Sequence, residues 1–397
     1  MDDKEIIKLY DEFVMPTYVK TPLVIVRGRG SRLWDEEGNE YLDFFPGWGV
    51  SGIGHCHPRV VRTLKNQASK LIHVSNNYYH EHQGLLAEKI IRMSFPGKVF
   101  FCNSGAEANE AAFKLARKFG NPERNEIITL EGAFHGRTLA TVTATGQNKY
   151  MEGFEPLPIG FVKIPFNDLL AFESAITPKT VAVIMEPIQG EGGINVADAK
   201  YLAGVRSACT EKNILLIFDE VQSGMGRTGK MFCYQNYGVE PDMVTMSKSM
   251  GGGFPIGALV AKKEIADTLK PGTHGTTFGG SPLACAAALA TLEAINEEKL
   301  LDNAVAMGAY LRKKLEALKK RHPVIEEVRG IALMQGVKLN IEGKQIYEKC
   351  LKRMLLINCT QGNVLRIMPP ITVKKSEINT AIRILDEVLA DEEATTS

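Results

Sequence analysis

Short apolar runs alternate with longer amphipathic stretches through the middle of this chain of 397 residues. Helical patterns lie between the apolar runs, for example at Glu107–Phe119 and Ala199–Lys212. Such an alternation of strands and helices predicts an α/β fold, in which helices cover a largely parallel sheet. The apolar runs that we expect to form strands are Val99–Phe101, Ile127–Leu130, Val181–Met185, Ile214–Phe218, Met243–Met246 and Ala258–Ala261.

The two ends of the chain have a different pattern. Near the N-terminus, three short segments predict a small antiparallel ribbon: Leu23–Val26, Arg32–Asp35 and Tyr41–Phe44. From Pro282 onward, long helices lead into further short strands and a last helix near Glu377–Leu389, which predicts an α+β unit. Because single cores stop growing at about 250–300 residues, we expect more than one domain. The tail after Asp391 is expected to be disordered.

Charge and cysteine usage exclude several classes of protein. Lys and Arg number 47 against 46 Asp and Glu, so the net charge of +1 gives no electrostatic footprint for nucleic acid or an anionic membrane. The sequence starts Met1-Asp-Asp-Lys-Glu, where a signal peptide needs basic residues, and no apolar run is long enough to span a membrane. The 7 cysteines form no Cys-x-x-Cys pair. We therefore expect a cytoplasmic protein with reduced thiols.

Metal binding is not expected either. His55-Cys56-His57 places two histidines close together, but adjacent residues of an extended chain point to opposite faces. No complementary pair of ligands at zinc spacing lies nearby in the sequence.

An aspartate and a lysine stand at the ends of two of the apolar runs. Asp219 follows Ile214–Phe218, and Lys248 follows Met243–Met246. The pair suits pyridoxal 5′-phosphate (PLP), because a lysine amine can form a Schiff base with its aldehyde and a carboxylate can keep its pyridinium nitrogen protonated. Taken alone, the two residues are more often a cap and a solvated side chain. Their sequence context decides between these interpretations.

A possible phosphate site follows the first central strand. Ser104 is a plausible N-cap, and Glu107 stands three residues later as its capping-box partner. The small residues Gly105 and Ala106 leave the first N–H groups of the helix open to an anion. The alternative is a well-capped helix with no ligand.

One glycine-rich segment resembles a nucleotide-binding loop. Gly224-Met-Gly226-Arg-Thr-Gly229-Lys230-Met231 nearly matches a P-loop, but Met231 replaces the Ser or Thr that would bind Mg²⁺. No apolar helix follows it. We therefore expect no nucleotide site, and instead a loop that lies over the active site.

Several short segments, in their joint order and spacing, resemble the class III, fold-type I PLP-dependent aminotransferases. The resemblance extends from about Met15 to Leu389 and rests on Ser104-Gly-Ala-Glu-Ala-Asn-Glu110, Phe134-His-Gly-Arg-Thr138, Glu186-Pro-Ile-Gln-Gly-Glu-Gly-Gly193, Asp219-Glu-Val-Gln222, Ser247-Lys248, Gly275-Thr-Thr-Phe-Gly-Gly280 and Arg366-Ile-Met-Pro-Pro370.

This resemblance implies a large domain with a mainly parallel, seven-stranded sheet and a small α+β domain formed by the N- and C-terminal segments. We place the N-terminal segment at residues 1–50, the large PLP-binding domain at residues 51–285 and the C-terminal segment at residues 286–397.

The resemblance also implies roles for individual residues. Lys248 would be the Schiff-base lysine and would carry the proton, while Asp219 would pair with the ring nitrogen. Gln222 would hydrogen-bond the 3-oxygen of the ring, and Phe134 would stack on its face. The phosphate would be held at Ser104, Gly105 and Ala106, and by Thr277 of the partner subunit in a homodimer with shared active sites.

Substrate binding is expected to depend on two arginines. In the resemblance, Arg366 holds the α-carboxylate of glutamate and Arg137 binds the carboxylate of the amino donor; a planar guanidinium binds carboxylates in a bidentate manner. Glu191 would neutralise Arg366 when an ω-amine donor enters and swing away for glutamate. Thr276 would lie near the substrate. Trp48 is unusual for this family, and it is either core packing or a residue that narrows the mouth of the pocket.

Among the branches of this family, this sequence resembles the acetylornithine branch most. It implies transfer of the ω-amino group of N2-acetylornithine to 2-oxoglutarate, as in arginine biosynthesis. Ornithine, acetyl-lysine, succinyldiaminopimelate and 4-aminobutyrate remain alternative donors, since they differ only at the end of the molecule far from the reacting amine. A PLP-dependent lyase or decarboxylase is the alternative of a different class. It would not need a second carboxylate-binding arginine with a switch glutamate.

Overall fold

The structure is a computed structural model that describes residues 1–396. Its helices are α1 (Asp3–Phe13), α2 (Pro58–Ala68), α3 (Glu81–Met93), α4 (Gly105–Gly120), α5 (Leu139–Ala144), α6 (Leu169–Ala175), α7 (Ala199–Glu211), α8 (Lys263–Ala266), α9 (Pro282–Glu297), α10 (Leu300–Arg321), α11 (Lys344–Lys352) and α12 (Lys375–Thr396).

The strands are β1 (Ile25–Arg29), β2 (Arg32–Asp35), β3 (Glu40–Asp43), β4 (Gly97–Cys102), β5 (Glu126–Leu130), β6 (Phe161–Ile164), β7 (Thr180–Met185), β8 (Ile188–Gln189), β9 (Asn195–Val196), β10 (Leu215–Asp219), β11 (Met243–Met246), β12 (Gly257–Lys262), β13 (Ile325–Ile331), β14 (Met334–Leu339), β15 (Leu355–Leu356), β16 (Asn358–Thr360) and β17 (Val364–Ile367).

A seven-stranded sheet with the order β4-β12-β11-β10-β7-β5-β6 forms the centre of the fold. Strand β12 is antiparallel to both of its neighbours, and the other adjacent pairs are parallel. The predicted α/β fold with a mainly parallel sheet is thus confirmed. Strand β6 was not predicted, because the polar Lys163 interrupts its short apolar run at the sheet edge.

The central strands are apolar because both faces of the sheet are covered. Every residue of β7 and β10 is buried, as is expected for a parallel sheet that has helices on both sides. Helix α4 packs against β11 and β12 with a row of small residues, among them Ala108, Ala112 and Ala116, all fully buried. Small side chains allow the helix to approach the sheet closely. Its N-terminus is therefore fixed relative to the strand ends.

The N- and C-terminal parts of the chain share a sheet. Its order is β1-β2-β3-β15, and β15 from the C-terminal part pairs in parallel with β3. A second sheet, β13-β14-β17-β16, is antiparallel throughout. The two are linked where the main-chain N–H of Met368 donates to the carbonyl of Phe44 at 2.7 Å. The boundaries at residues 50 and 285 stay predictions; the second one falls inside α9.

Two expectations are wrong. The tail after Asp391 is not disordered in the described part of the chain, because α12 continues to Thr396 and buries Glu392, whose carboxylate pairs with Lys349. The glycine-rich segment does not lie over the active site. A Cβ on Gly226 or on Gly229 would meet side chains of α10, so this loop packs against that helix.

Within residues 1–396, no helix is long and apolar enough to cross a membrane. The same residues contain no group of three or more His, Cys, Asp or Glu side chains placed to hold a metal ion.

Candidate active site

The carboxyl ends of the parallel strands meet at one edge of the central sheet, and a cavity of about 430 Å³ lies there. Ligands of open α/β sheets bind at this edge, outside the carboxyl ends of the strands. The cavity is lined by residues at the carboxyl ends of β4, β5, β7, β10 and β11 and in the loops after them, including Ser104, Gly105, Ala106, Phe134, Arg137, Glu186, Glu191, Asp219, Gln222 and Lys248. Predicted site residues from distant parts of the sequence are thus brought together.

Lys248 stands two residues after the end of β11, at the start of a short 3-10 helix. Its φ of 39° lies in the left-handed region, which a residue with a side chain adopts only when its surroundings hold it there. Two neighbouring side chains hold this turn: Ser247 Oγ donates to Ile256 O at 2.8 Å, and Ser249 Oγ donates to Gly49 O at 2.6 Å. The lysine side chain is thereby directed into the cavity that it lines.

The amine of Lys248 has no hydrogen bond or ion pair within the described residues. Burial lowers its pKa, and the nearby carboxylate of Glu191 opposes that shift only in part. A lowered pKa increases the fraction of neutral amine near neutral pH. This is the form that can act as a nucleophile or accept a proton.

Asp219 is held by a buried network. Its Oδ2 accepts hydrogen bonds from Asn109 Nδ2 at 2.7 Å and from His135 Nδ1 at 2.8 Å, and its Oδ1 accepts one from the N–H of Val221 at 3.0 Å. Asn109 is fixed in turn, since Thr245 Oγ1 donates to its Oδ1 at 2.8 Å. These donors satisfy the oxygens of a side chain that is only 4% exposed, so Asp219 is fixed in one orientation.

A second carboxyl group, Glu186, lies beside this network. Its two oxygens accept the backbone N–H groups of Phe134 at 3.0 Å and Gly190 at 3.2 Å. Burial raises the pKa of Glu186 to about 7, and the negative charge of Asp219 adds to the effect. Glu186 connects the loops on two sides of the cavity, and its protonation state changes within the physiological pH range.

The N-terminus of α4 points to the other end of the cavity. Ser104 caps the helix by accepting the N–H of Glu107 at 3.2 Å, as the sequence predicts. A Cβ on Gly105 would come within 2.7 Å of the Val221 side chain, so only glycine fits at this first helical position. Open N–H groups and the helix dipole make this a suitable site for a phosphate.

These residues fit PLP. Besides the helix N-terminus and Asp219, the cavity contains the Oε1 atom of Gln222, which is buried and has no hydrogen-bond partner in the described part of the chain. An unpaired buried oxygen costs free energy unless a ligand satisfies it. The side chain of Gln222 is anchored by a donation of its Nε2 to Trp48 O at 3.4 Å.

Arg366 is fully buried next to Glu191. Its guanidinium makes a bidentate contact with the Glu191 carboxylate, at 2.6 and 3.1 Å, and Asn358 Oδ1 accepts its Nε–H at 2.7 Å. Burial alone would raise the pKa of Glu191, but the charge and hydrogen bonds of Arg366 outweigh it and lower that pKa. The carboxylate of Glu191 therefore stays ionised near neutral pH.

Trp48 lies at this end of the site and is not a core residue. Its side chain is 50% exposed, and its ring centroid is 5.5 Å from the Cζ atom of Arg366. Phe45 stands edge-on to it at 5.6 Å and is also beside Arg366, at 4.5 Å. Trp48 does not itself line the cavity, and a role in narrowing the mouth of the pocket stays a prediction.

Four predicted residues do not line this cavity: Trp48, Thr276, Thr277 and Arg366. Thr276 lines a neighbouring cavity of about 380 Å³, where its Oγ1 accepts Asn103 Nδ2 at 3.0 Å. Thr277 is exposed, and Phe278 next to it is 63% exposed. Asn103 lines the main cavity, and its hydrogen bond to Thr276 places this exposed loop close to the main site without making it part of that site.

Sequence reasoning missed the residues that support Asp219. Asn109, His135 and Thr245 lie far apart in the sequence, and nothing in their local pattern shows that they meet. His135 and Asn109 do fall inside quoted family segments, which is the signal that could have found them. Glu186 could be found in the same way.

The buried position of Glu186 predicts a pH dependence of stability in the cofactor-free protein. Because the pKa of about 7 in the folded state is above the ordinary glutamate pKa of 4.5, the folded state binds more protons between these two values, and stability falls as pH rises through this window. Glu186→Gln removes the titration. The melting temperature of this variant minus that of the wild type should therefore increase between pH 5 and pH 8. The exposed control Glu152→Gln should give a constant difference; an equally flat result for Glu186→Gln would contradict the assignment.

Comparisons with known proteins agree over almost the whole chain. The family model for class III aminotransferases matches residues 13–389. The acetylornithine aminotransferase of Methanocaldococcus jannaschii is 51% identical over 395 residues, which cover 98% of this chain and 99% of the relative. The acetylornithine/succinyldiaminopimelate aminotransferase of Yersinia pestis is 43% identical over 389 residues and covers 96% of each chain.

A solved structure supports the same family. The ornithine aminotransferase of Toxoplasma gondii ME49 has a TM-score of 0.96 and 34% identity, covering 100% of this chain and 96% of that chain. The cavity with its lysine and these similarities all indicate the same family. The chain belongs to the class III aminotransferases, and it is a PLP-dependent enzyme that exchanges an amino group between a small-molecule donor and acceptor.

Proposed function

We propose that this aminotransferase moves the ω-amino group of N2-acetylornithine to 2-oxoglutarate, giving N-acetylglutamate 5-semialdehyde and glutamate. The relatives named above support this donor by their names. The observation that carries the proposal is the pair of arginines around the cavity. Arg137 lies at its mouth, while Arg366 is covered by Glu191, so two different carboxylates can be bound at different places.

We assign the cofactor contacts to the residues that fit PLP. The N-terminus of α4 at Ser104, Gly105 and Ala106 would hold the phosphate, Asp219 the ring nitrogen and Gln222 the ring oxygen, with Phe134 against the ring face. When bound, the cofactor supplies an electron sink for the electron pair left by the broken C–H bond of the donor. Asp219 strengthens that sink because its charge keeps the ring nitrogen protonated.

Lys248 is proposed as the residue that bonds to the cofactor aldehyde and moves the proton. Its lowered pKa favours the neutral amine, which can accept the proton from the donor carbon and return it to a neighbouring atom. Its strained backbone and the hydrogen bonds of Ser247 and Ser249 hold the amine in one place. This preorganisation reduces the entropy that must be lost during proton transfer.

The ion pair of Arg366 and Glu191 is proposed to sort the two substrates. While the pair is closed, Arg366 is neutralised and unavailable, so an ω-amine donor has its carboxylate bound by Arg137 instead. For glutamate, the Glu191 side chain must leave, and Arg366 then binds the α-carboxylate. A lyase or decarboxylase would have no use for this second carboxylate site, which argues against that alternative.

We also propose that the enzyme works as a homodimer in which Thr277 of the partner subunit completes the phosphate site. The loop Gly275–Gly280 supports this proposal. Its Phe278 is 63% exposed, and the loop lines the cavity that neighbours the main site of its own chain. Exposed apolar residues of this kind are typical of interfaces.

Removing the catalytic amine tests the mechanism. Lys248→Ala should abolish turnover, because it removes both the covalent link and the proton carrier, while the protein stays folded and still binds PLP. The Asp219→Asn variant should keep PLP but slow proton abstraction strongly. Activity assays should be combined with dialysis and spectroscopy of bound PLP. Activity of Lys248→Ala within tenfold of the wild type would refute its role, and an unaltered rate in Asp219→Asn would remove Asp219 from the site.

Donor choice tests the substrate assignment. Arg137→Ala should raise KM for acetylornithine about ten- to a hundredfold and leave KM for glutamate nearly unchanged, since a lost charged hydrogen bond is worth about 1.5–3 kcal/mol. The same panel should compare kcat/KM for ornithine, acetyl-lysine, succinyldiaminopimelate and 4-aminobutyrate on wild type and on Trp48→Ile. A tenfold preference of the wild type for another donor would show the acetylornithine assignment to be wrong. If Trp48→Ile leaves every ratio unchanged, Trp48 does not select the donor.

A phosphate site shared between two subunits predicts that PLP binding and dimer stability are coupled. If Thr277 reaches the neighbouring phosphate site, PLP should stabilise the dimer by mass action. Sedimentation at assay concentration should show a dimer that dissociates more readily after PLP is removed, and Thr277→Val should weaken PLP binding. A fully active monomer is the outcome that would contradict the proposal.

A further inference from the structure

The two arginines proposed to bind substrates are held in different ways. The guanidinium of Arg366 is occupied by Glu191, Asn358 and a backbone carbonyl. Arg137 has no carboxylate partner and no hydrogen bond among residues 1–396. Its Cζ atom instead lies 3.9 Å from the ring centroid of Tyr150 and 5.7 Å from that of Phe134.

Tyr150 is well placed to act as a fixed platform. It ends the short 3-10 helix Asn148–Tyr150, and its ring meets that of Phe134 edge-on at 5.8 Å and 86°. Gln147 directly precedes that helix and is itself buried; its Oε1 accepts Gln361 Nε2 at 3.1 Å. The ring of Tyr150 therefore contacts the side chain proposed to lie against the cofactor, and the residue before its helix is hydrogen-bonded to a segment from the C-terminal part of the chain.

As a partner for the guanidinium of Arg137, an aromatic ring has an advantage over a carboxylate. The face of a tyrosine ring attracts a guanidinium electrostatically, but it does not use the in-plane N–H groups. A carboxylate partner would occupy those groups and would have to be displaced by the substrate. Stacked on a ring, Arg137 keeps its donors free for an incoming carboxylate, and its long side chain loses some of the freedom that binding would otherwise cost.

A second cation shares the ring. Lys149 Nζ lies 4.9 Å from the centroid of Tyr150, and no ion pair neutralises it within the described part of the chain. Lys149 and Arg137 are both exposed, so they give the mouth of the cavity a positive charge. This charge favours a donor whose far end is anionic.

We infer that Tyr150 is a positioning residue for donor selection: its ring holds the guanidinium of Arg137 at the cavity mouth with the donors free, and this arrangement selects ω-amines with a distal carboxylate. The inference rests on the proposed function, in which Arg137 binds the carboxylate of the donor. Tyr150 itself need not touch the substrate. Its effect should therefore depend on the presence of Arg137.

Two substitutions separate the ring from the hydroxyl. Tyr150→Leu removes the ring face and should raise KM for acetylornithine about three- to tenfold, with kcat and KM for glutamate nearly unchanged. Tyr150→Phe keeps the ring and should behave like the wild type. A binding measurement on the PLP-loaded enzyme by calorimetry should show the same loss with N2-acetylnorvaline, which keeps the carboxylate but lacks the ω-amine.

Two controls make the test specific. In the Arg137→Ala background, Tyr150→Leu should have no further effect on binding of the analogue, since a positioning residue acts only through its partner. Tyr310 is a matched control, because its ring also lies under cations, Lys314 and Lys375, at 5.5 Å each. It belongs to α10, so Tyr310→Leu should leave both KM values unchanged.

The outcomes distinguish this inference from the proposed function. If Arg137→Ala weakens analogue binding but Tyr150→Leu does not, the inference about Tyr150 is overturned and the proposed function stands. If Arg137→Ala itself has no effect, the proposed donor site is wrong, and the inference falls with it. A Tyr150→Phe variant as impaired as Tyr150→Leu would also overturn the inference, because the hydroxyl and not the ring face would then be responsible.

Discussion

The site depends on the register of three adjacent parallel strands. In the pairing of β7 with β10, Met185 lies opposite Phe218, so the residues that follow them, Glu186 and Asp219, lie at the same level at the carboxyl ends of the two strands. In the pairing of β10 with β11, Asp219 lies opposite Thr245, three residues before Lys248. Because both faces of these strands are buried, a shift of the register would misplace every one of these groups at once.

Much of this arrangement could be predicted from sequence, and the limits have physical reasons. Continuous apolar runs such as Val181–Met185 are found within a residue or two of their true ends, since a strand buried on both faces must be apolar throughout. Edge strand β6 and the short strands β15 and β16 escape detection, because partly exposed pairing needs no apolar run. The hydrogen-bonded support of Asp219 by His135 could not be read from spacing, since tertiary contacts create it.

The charges of the site form a consistent scheme. Asp219 is surrounded by hydrogen-bond donors, whereas Glu186 beside it is pushed toward its neutral form, so the two carboxyl groups need not both be charged at neutral pH. Farther out, the carboxylate of Glu191 neutralises the charge of Arg366. Arg137 instead stacks on an aromatic ring, so its N–H groups stay free. In the proposed function, Arg137 binds the carboxylate of one substrate and Arg366 that of the other, as an exchange between two substrates requires.

The most direct test of the account is the first half-reaction alone. The PLP-loaded enzyme should be incubated with acetylornithine in the absence of 2-oxoglutarate, and the products should be counted per subunit. The account predicts one equivalent of N-acetylglutamate semialdehyde per subunit, with glutamate formed only after 2-oxoglutarate is added. Release of CO₂ or free ammonia in the first step would contradict it.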